Sequence, residues 1–335
     1  MTLRVDLPAK SQMVLASAIG LVDILGFQDY HLINLTLQNS IMNQSILQLA
    51  KQRTVLLDGG MGTELIKKGF KGSGPPELWN VDKPEIVKNI HRRYFNAGSD
   101  AVLTNSFGGS KIKLASYNLE DQCYDLNKRA AEIACKVKPQ HKFVGGSLGP
   151  TGKFLKPYGE FTEDDFTEAY GIQAQGLSKG GVDFLLIETQ YDIKEALCAY
   201  EGAKKASSLP IFVTMTFKKT PRGFYTEMGN NVSQCLKELE KREISAVGAN
   251  CTLDSKDMAL LVKEIKQKTS LPVIAQANAG QPQVNSDGKI KYTQPANQYV
   301  KYVKKMLEYG VNIIGGCCGT DPSYIRKMAK LIKIS

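Results

Sequence analysis

Three cysteines stand where apolar runs give way to glycine. Cys317 and Cys318 lie in Ile313-Ile314-Gly315-Gly316-Cys317-Cys318-Gly319-Thr320, and Cys251 ends Ala246-Val247-Gly248-Ala249-Asn250-Cys251. Thiolates on strand ends, in a chain with only 3 histidines, suggest a three-sulfur zinc site, which keeps a fourth position open for a substrate. Soft ligands around such an ion suit chemistry on a thiol. The competing readings of the vicinal pair are a redox couple and two small core residues. None of His31, His91 and His141 ends a predicted strand, and His91 falls in a helical stretch where it is expected at the surface. Two carboxylates, Asp58 and Glu188, also close apolar runs. At one mouth they repel unless a cation or proton lies between them, which suits a substrate ammonium group. The alternative is a helix cap for Asp58 and a salt bridge for Glu188.

These residues are positioned by a recurring pattern. Short apolar runs, Val55–Asp58, Ala101–Asn105, Phe143–Ser147, Phe184–Glu188, Ile211–Thr216, Ala246–Cys251, Pro272–Asn278 and Asn312–Cys317, alternate with amphipathic stretches. The stretches are Pro84–Ala97, Cys123–Lys136, Glu163–Lys179, Ile193–Lys205, Val232–Lys241, Ser255–Lys268, Ala296–Glu308 and Pro322–Ile332. Thr162 before Glu163-Asp164-Asp165 and Thr320-Asp321 before Pro322 are helix-start signals. Alternation implies a parallel sheet, and eight repeats over about 280 residues fit an α/β (β/α)8 TIM barrel, a single domain. A doubly wound open sheet is the alternative. In a barrel, chemistry sits after the C-terminal strand ends, and the three cysteines then share one mouth, with Gly315, Gly316 and Gly319 bending the backbone. The runs Asp58-Gly59-Gly60-Met61-Gly62 and Gly145-Gly146-Ser147-Leu148-Gly149 match neither a dinucleotide fingerprint nor a phosphate loop. Their glycines are expected to let backbone approach a small substrate. Cys123, Cys135, Cys198 and Cys235 fall in helical stretches and read as packing residues.

The 335 residues are 42% hydrophobic, and the net charge is +10. The basic residues come as scattered pairs such as Lys67-Lys68 and Lys304-Lys305, which describes a solvated surface rather than a nucleic-acid footprint. No secretory signal and no membrane-length apolar run is read, so a cytoplasmic location with reduced cysteines is expected. Residues 1–50 read as an N-terminal extension and 51–335 as the barrel. Residues 1–41 are either added helices or sequence upstream of a start at Met42, the second being preferred. An oligomer is compatible with the sequence.

Asp58-Gly59-Gly60-Met61-Gly62-Thr63-Glu64, Leu103-Thr104-Asn105-Ser106-Phe107-Gly108, Gly149-Pro150-Thr151-Gly152, Gly248-Ala249-Asn250-Cys251 and Gly315 to Thr320 together resemble the homocysteine S-methyltransferase family over about residues 50–335. The resemblance implies zinc (Zn2+) held by Cys251, Cys317 and Cys318, homocysteine as methyl acceptor and methionine as product. It places the amino-group contacts on Asp58 and Glu188, within an expected substrate set of Asp58, Gly59, Thr104, Glu188 and Asn250. No protein side chain is expected to be catalytic beyond the activated substrate thiolate.

The donor side is similar to bacterial proteins described as betaine–homocysteine methyltransferases and to the homocysteine module of cobalamin-dependent methionine synthase. The expected donor is betaine, with Trp79 and Tyr158 as candidate cage aromatics for a quaternary amine. Gly108 stands where the animal betaine enzyme has a tyrosine. The alternatives are the homocysteine-activating half of a split methionine synthase that needs a corrinoid protein, an S-methylmethionine-dependent enzyme, and a non-catalytic zinc-binding barrel.

Overall fold

Eight parallel strands form one sheet: β1 (Val55–Leu56), β2 (Ala101–Leu103), β3 (Phe143–Leu148), β4 (Phe184–Gln190), β5 (Ile211–Met215), β6 (Ala246–Asp254), β7 (Val273–Asn278) and β8 (Ile313–Gly316). The computed structural model describes residues 44–284 and 290–333; the expectation about residues 1–41 lies outside them. Neighbours run β1-β8-β7-β6-β5-β4-β3-β2, the order of a nearly closed (β/α)8 barrel. Open doubly wound topology is thereby excluded, because the first strand pairs with the last.

The seam between β1 and β2 is held largely by side chains. Asp100 N–H donates to Leu56 O at 2.6 Å, and Asp100 Oδ2 accepts the Leu56 N–H at 3.0 Å. One level higher, Asp58 Oδ2 accepts the Leu103 N–H at 2.9 Å. Arg53 and Lys142 neutralise Asp100 and, against the cost of its burial, hold its carboxyl below the usual range.

Inward residues alternate with outward ones, as the strand period requires. Val55, Leu57, Phe184, Phe212, Ile274 and Ile313 fill the interior with others. A helix at Ile46–Gln52 adds Ile46 and Ala50 to the same cluster, so the barrel unit begins at Ile46. Gly145 does not serve a substrate, as its run had suggested. A Cβ there would meet the Phe184 ring at 2.4 Å, and that ring stacks on Phe212 with centroids 4.8 Å apart. The glycine exists to admit an aromatic pair.

The crossover helices Pro84–Ala97, Glu163–Lys179, Ala296–Glu308 and Pro322–Ile332 have the expected bounds. Thr162 and Asp165 form a reciprocal capping box, and Asp321 caps Pro322–Ile332. Cys123, Cys198 and Cys235 are buried and Cys135 is half-buried, all as free thiols. Two hairpins were not legible in advance: Lys218–Thr220 with Gly223–Tyr225 after β5, and Pro282–Val284 with Ile290–Tyr292 after β7. Among the described residues no helix is long and apolar enough to cross a membrane.

His91 corrects the sequence reading. It is 0% exposed, and neither ring nitrogen has a hydrogen-bond partner. Its helix turns Val87, Ile90, Tyr94 and Phe95 inward with it. Burial drives its pKa down to about 3, so the folded chain holds it neutral while the unfolded chain protonates it below about 6.5. Stability therefore falls as pH drops through 6.5, by about 2 kcal/mol at pH 5 from this group alone. The thermal midpoint of His91→Met, measured from pH 7 to pH 5, should fall less than that of the wild type; equal slopes would remove His91 as the cause.

Candidate metal and amino-acid site

Cys251 reaches the mouth by a break in its strand. Ala246 faces the interior cluster, whereas Val247 and Ala249 face the outer one. On a regular strand Cys251 would therefore face outward. Instead Cys251 and Thr252 adopt left-handed backbone, with φ of 62° and 56°, and the register with β7 shifts between Asn250 and Asp254. Such conformations are costly for non-glycine residues, most of all β-branched ones, and cluster at functional sites. Thr189, after Glu188, does the same with φ 59°.

Cys317 and Cys318 follow β8 on a pinned turn. Cys317 N–H donates to Ala277 O at 2.8 Å and Cys318 N–H to Asn278 Oδ1 at 3.1 Å. The Thr320 hydroxyl donates to Cys317 O at 2.7 Å. Only Gly319 supplies the bend, with φ 81°. Gly315 and Gly316 are ordinary strand residues made small by their neighbours, since a Cβ would lie 2.9 Å from Leu57 Cβ and 2.2 Å from Thr320 Oγ1 respectively.

The three sulfurs lie within 4.8 Å of one another, and Cys251 and Cys318 are 3.9 Å apart. A tetrahedral ion with bonds of about 2.3 Å holds sulfur pairs about 3.8 Å apart. The Cys251–Cys318 pair stands at that spacing, and the three-sulfur donor set is of the kind that suits zinc. As bare thiols, the trio concentrates negative charge on one member. Hydrogen bonds from Cys317 and Cys318 hold Cys251 far below the ordinary thiol range, and Cys251 raises its two neighbours.

The carboxylates come to the same mouth. Glu188 Oε1 accepts from the Ser147 hydroxyl at 2.5 Å and Oε2 from Asn250 Nδ2 at 3.0 Å. Burial raises its pKa to about 7; the charge of Cys251 adds to this, and the two donors oppose it. Asp58 is raised well above the carboxylate range, again by burial first, with Glu188 contributing. Its Oδ1 is buried without a partner. Neither structural alternative describes them. The helix Met61–Lys67 is capped at Gly60 without a side-chain bond, and Glu188 takes hydroxyl and amide donors rather than a salt bridge. Two buried acceptors with an orphaned oxygen suit a small cation.

The other expected substrate residues are largely committed to the scaffold. Asn250 also donates to Thr189 Oγ1 at 2.7 Å and accepts from Thr189 N–H and the Thr214 hydroxyl, so it fixes Glu188. Thr104 Oγ1 pairs with Ser106 and accepts the Ser147 N–H at 3.0 Å. Gly59 leaves room for Thr320 Oγ1, which would lie 2.7 Å from a Cβ. Ser147, Thr214, Tyr94 and Thr320 complete this scaffold and were not singled out from sequence. Inward parity marks Ser147 and Thr214; Thr320 stood out only as part of a helix start, and nothing local marks Tyr94.

The donor candidates lie apart in character. Trp79 is 8% exposed, edge-on to Phe70 at 5.4 Å, with Lys83 Nζ 4.2 Å from its ring centroid. Tyr158 is 80% exposed. A side chain at Gly108 would press on Glu77, whose Oε1 lies 3.2 Å from a Cβ built there.

The sequence profile of the family described as homocysteine S-methyltransferase matches residues 55–332. The methionine synthase of Mycobacterium leprae (strain TN) is 32% identical over 304 residues, which are 86% of this chain and 25% of that protein. That of Mycobacterium tuberculosis (strain ATCC 25618 / H37Rv) is 30% identical over 309 residues, 87% of this chain and 26% of that protein. The chain thus spans about a quarter of these curated relatives. The metallated homocysteine methyltransferase MmuM of Escherichia coli superposes with a TM-score of 0.70 at 24% identity, over 84% of this chain and 98% of its own, which supports the barrel fold.

Asn250→Leu should strand the buried Glu188 carboxylate and the Thr189 N–H, and lower stability by about 2–4 kcal/mol. Chemical denaturation measures this; a change under 0.5 kcal/mol, roughly what a neutral surface substitution gives, would remove Asn250 from the scaffold.

Proposed function

The chain belongs to the homocysteine S-methyltransferase family, and from that premise we propose that it methylates homocysteine to methionine with zinc held by Cys251, Cys317 and Cys318. One observation carries the reading: a soft three-sulfur cluster and two under-satisfied carboxylates share one mouth. A thiol and an ammonium on one small molecule match that pair of features.

In this reading Asp58 and Glu188 take the amino acid's ammonium group, and Asn250, Ser147 and Leu103 N–H hold the two carboxylates in place. Zinc, when bound, supplies a Lewis acid that keeps a substrate sulfur as thiolate near neutral pH. Fixing the ammonium at one end sets where the sulfur lies at the other, which recovers part of the entropy of a bimolecular step. The sulfur lone pair forms the new S–C bond as the donor's bond to its methyl carbon breaks, and that electron pair leaves with the donor. Seven free cysteines suit the reducing cytoplasm.

For the donor, betaine remains the first candidate to assay, with Trp79 and Tyr158 as its cage. Lys83 over the Trp79 ring favours a second reading, because that ammonium occupies the face a quaternary amine needs. In that reading the methyl group arrives from a separate corrinoid protein; S-methylmethionine is the third donor to assay.

Zinc-loaded protein should form methionine from homocysteine with one of these three donors. Cys251→Ala should lose both bound zinc and turnover, measured by metal analysis and methionine assay; a fully active zinc-free variant would refute the site. Homocysteine binding should also depend on pH. Burial keeps Glu188 protonated in the free protein below about 7, so binding an ammonium there releases a proton. From this group affinity should therefore gain up to about tenfold per pH unit below 7, on top of the rise that release of the substrate thiol proton and of any proton on Asp58 contributes. Glu188→Gln should bind more weakly and lose that part of the slope below 7 in calorimetry; an unchanged profile would detach Glu188 from the amino group.

A further inference from the structure

Among the described residues Gln276 is a buried polar side chain of the barrel interior that neither the cluster nor the scaffold uses. It lies on β7 two residues beyond inward-facing Ile274, and it pairs in register with Asn250 on one side and Gly315 on the other. Asn250 holds Glu188. Gly315 has no side chain, and a Cβ built there would lie 3.3 Å from Gln276 Cγ and 3.0 Å from Asp58 O. Around the rim of the interior the order is therefore Asp58, the gap at Gly315, Gln276, Asn250, Thr214, Glu188. The sulfurs stand just above: Cys251 follows Asn250, and Cys317 lies two residues beyond Gly315.

The amide is 2% exposed, and Oε1 has no hydrogen-bond partner. A buried acceptor left unmatched is destabilising, and Ile274 one layer below shows that an aliphatic residue suits this face. Resting on the reading of the mouth as an amino-acid site, we propose that Gln276 is a third substrate-binding residue, its amide oxygen accepting one N–H of the substrate ammonium. An ammonium has three donors. Asp58 Oδ1 and Glu188 account for two, and Gln276 Oε1, placed between them, is the third acceptor. An amide also supplies this acceptor without adding a third negative charge to two carboxylates that already raise each other's cost of ionisation.

Calorimetry on zinc-loaded wild type and Gln276→Leu separates the possibilities. The ligands are homocysteine, 4-mercaptobutanoate (no ammonium) and 3-aminopropanethiol (no carboxylate). Gln276→Leu should bind homocysteine and 3-aminopropanethiol roughly tenfold more weakly or worse, with the affinity for 4-mercaptobutanoate changed less than twofold. Equal losses on all three ligands, a loss confined to the carboxylate-bearing pair, or no loss on any would overturn the proposal. A wild type that binds 4-mercaptobutanoate as tightly as homocysteine would instead overturn the amino-acid reading beneath it, before any variant is made. Gln276→Met, closer in shape, repeats the comparison should the leucine variant fold poorly.

Discussion

A ring of parallel strands must close, and here its closing seam is two residues wide on the β1 side. Of the ladder that joins the other neighbours one backbone bond remains, Asp100 N–H to Leu56 O, and carboxylates add further bonds, Asp100 below and Asp58 above. Asp58 thus has a structural oxygen and a free one. Because Oδ2 is bound to the Leu103 N–H, the direction of Oδ1 is set by the barrel itself and not by a flexible rotamer. The same bond that closes the sheet aims the acceptor, so the site inherits the rigidity of the fold.

The two halves of the mouth are fastened to each other by groups that face no ligand. Gly60 N–H donates to Thr320 O and to its hydroxyl, both at 3.2 Å. Gly319 N–H donates to Thr63 Oγ1 at 2.9 Å. The Tyr94 hydroxyl donates to Gly60 O at 3.2 Å, with Thr320 O at 3.3 Å. The loop after β1, which carries Asp58, and the loop after β8, which carries two of the sulfurs, are therefore tied into one hydrogen-bonded unit. Asn250 does the same for β4 and β6, reaching across β5 to hold Glu188 from the residue beside Cys251. Burial makes these carboxylates expensive to ionise, and the folded protein tolerates that cost at the place where a cation would remove it.

Much of this was legible in the chain. The eight strands and eight crossover helices follow from apolar period and helix-start chemistry, and the cysteines and carboxylates were found as polar groups ending apolar runs. What was not legible depends on contacts distant in sequence. His91 carries no local sign of burial, because a histidine on a helix looks amphipathic whichever way its helix is turned. The left-handed turns at Thr189, Cys251 and Thr252 use residues that normally avoid that conformation, so no glycine advertised them. Gly145 looked like a substrate glycine and Gly315 like a bend for the cysteines, and only the positions of Phe184 and Leu57 show what they make room for. Trp79 was conspicuous by its rarity, yet its ring is taken up by Phe70 and Lys83.

The pairing of β1 with β8 also bears on how the chain acquires its shape. Val55 aligns with Ile313, and the Thr54 hydroxyl bonds to Val311 O across 257 positions. These are contacts of very long loop closure, which are made late and slowly. Until residues near 313 are available, β1 has an open edge and the interior lacks one wall. A growing chain therefore carries an incomplete sheet through most of its synthesis, with apolar strand edges exposed to other chains. Ring closure is the step that both ends this exposure and brings the last two sulfurs to the first, so assembly of the three-sulfur cluster and escape from aggregation are one event.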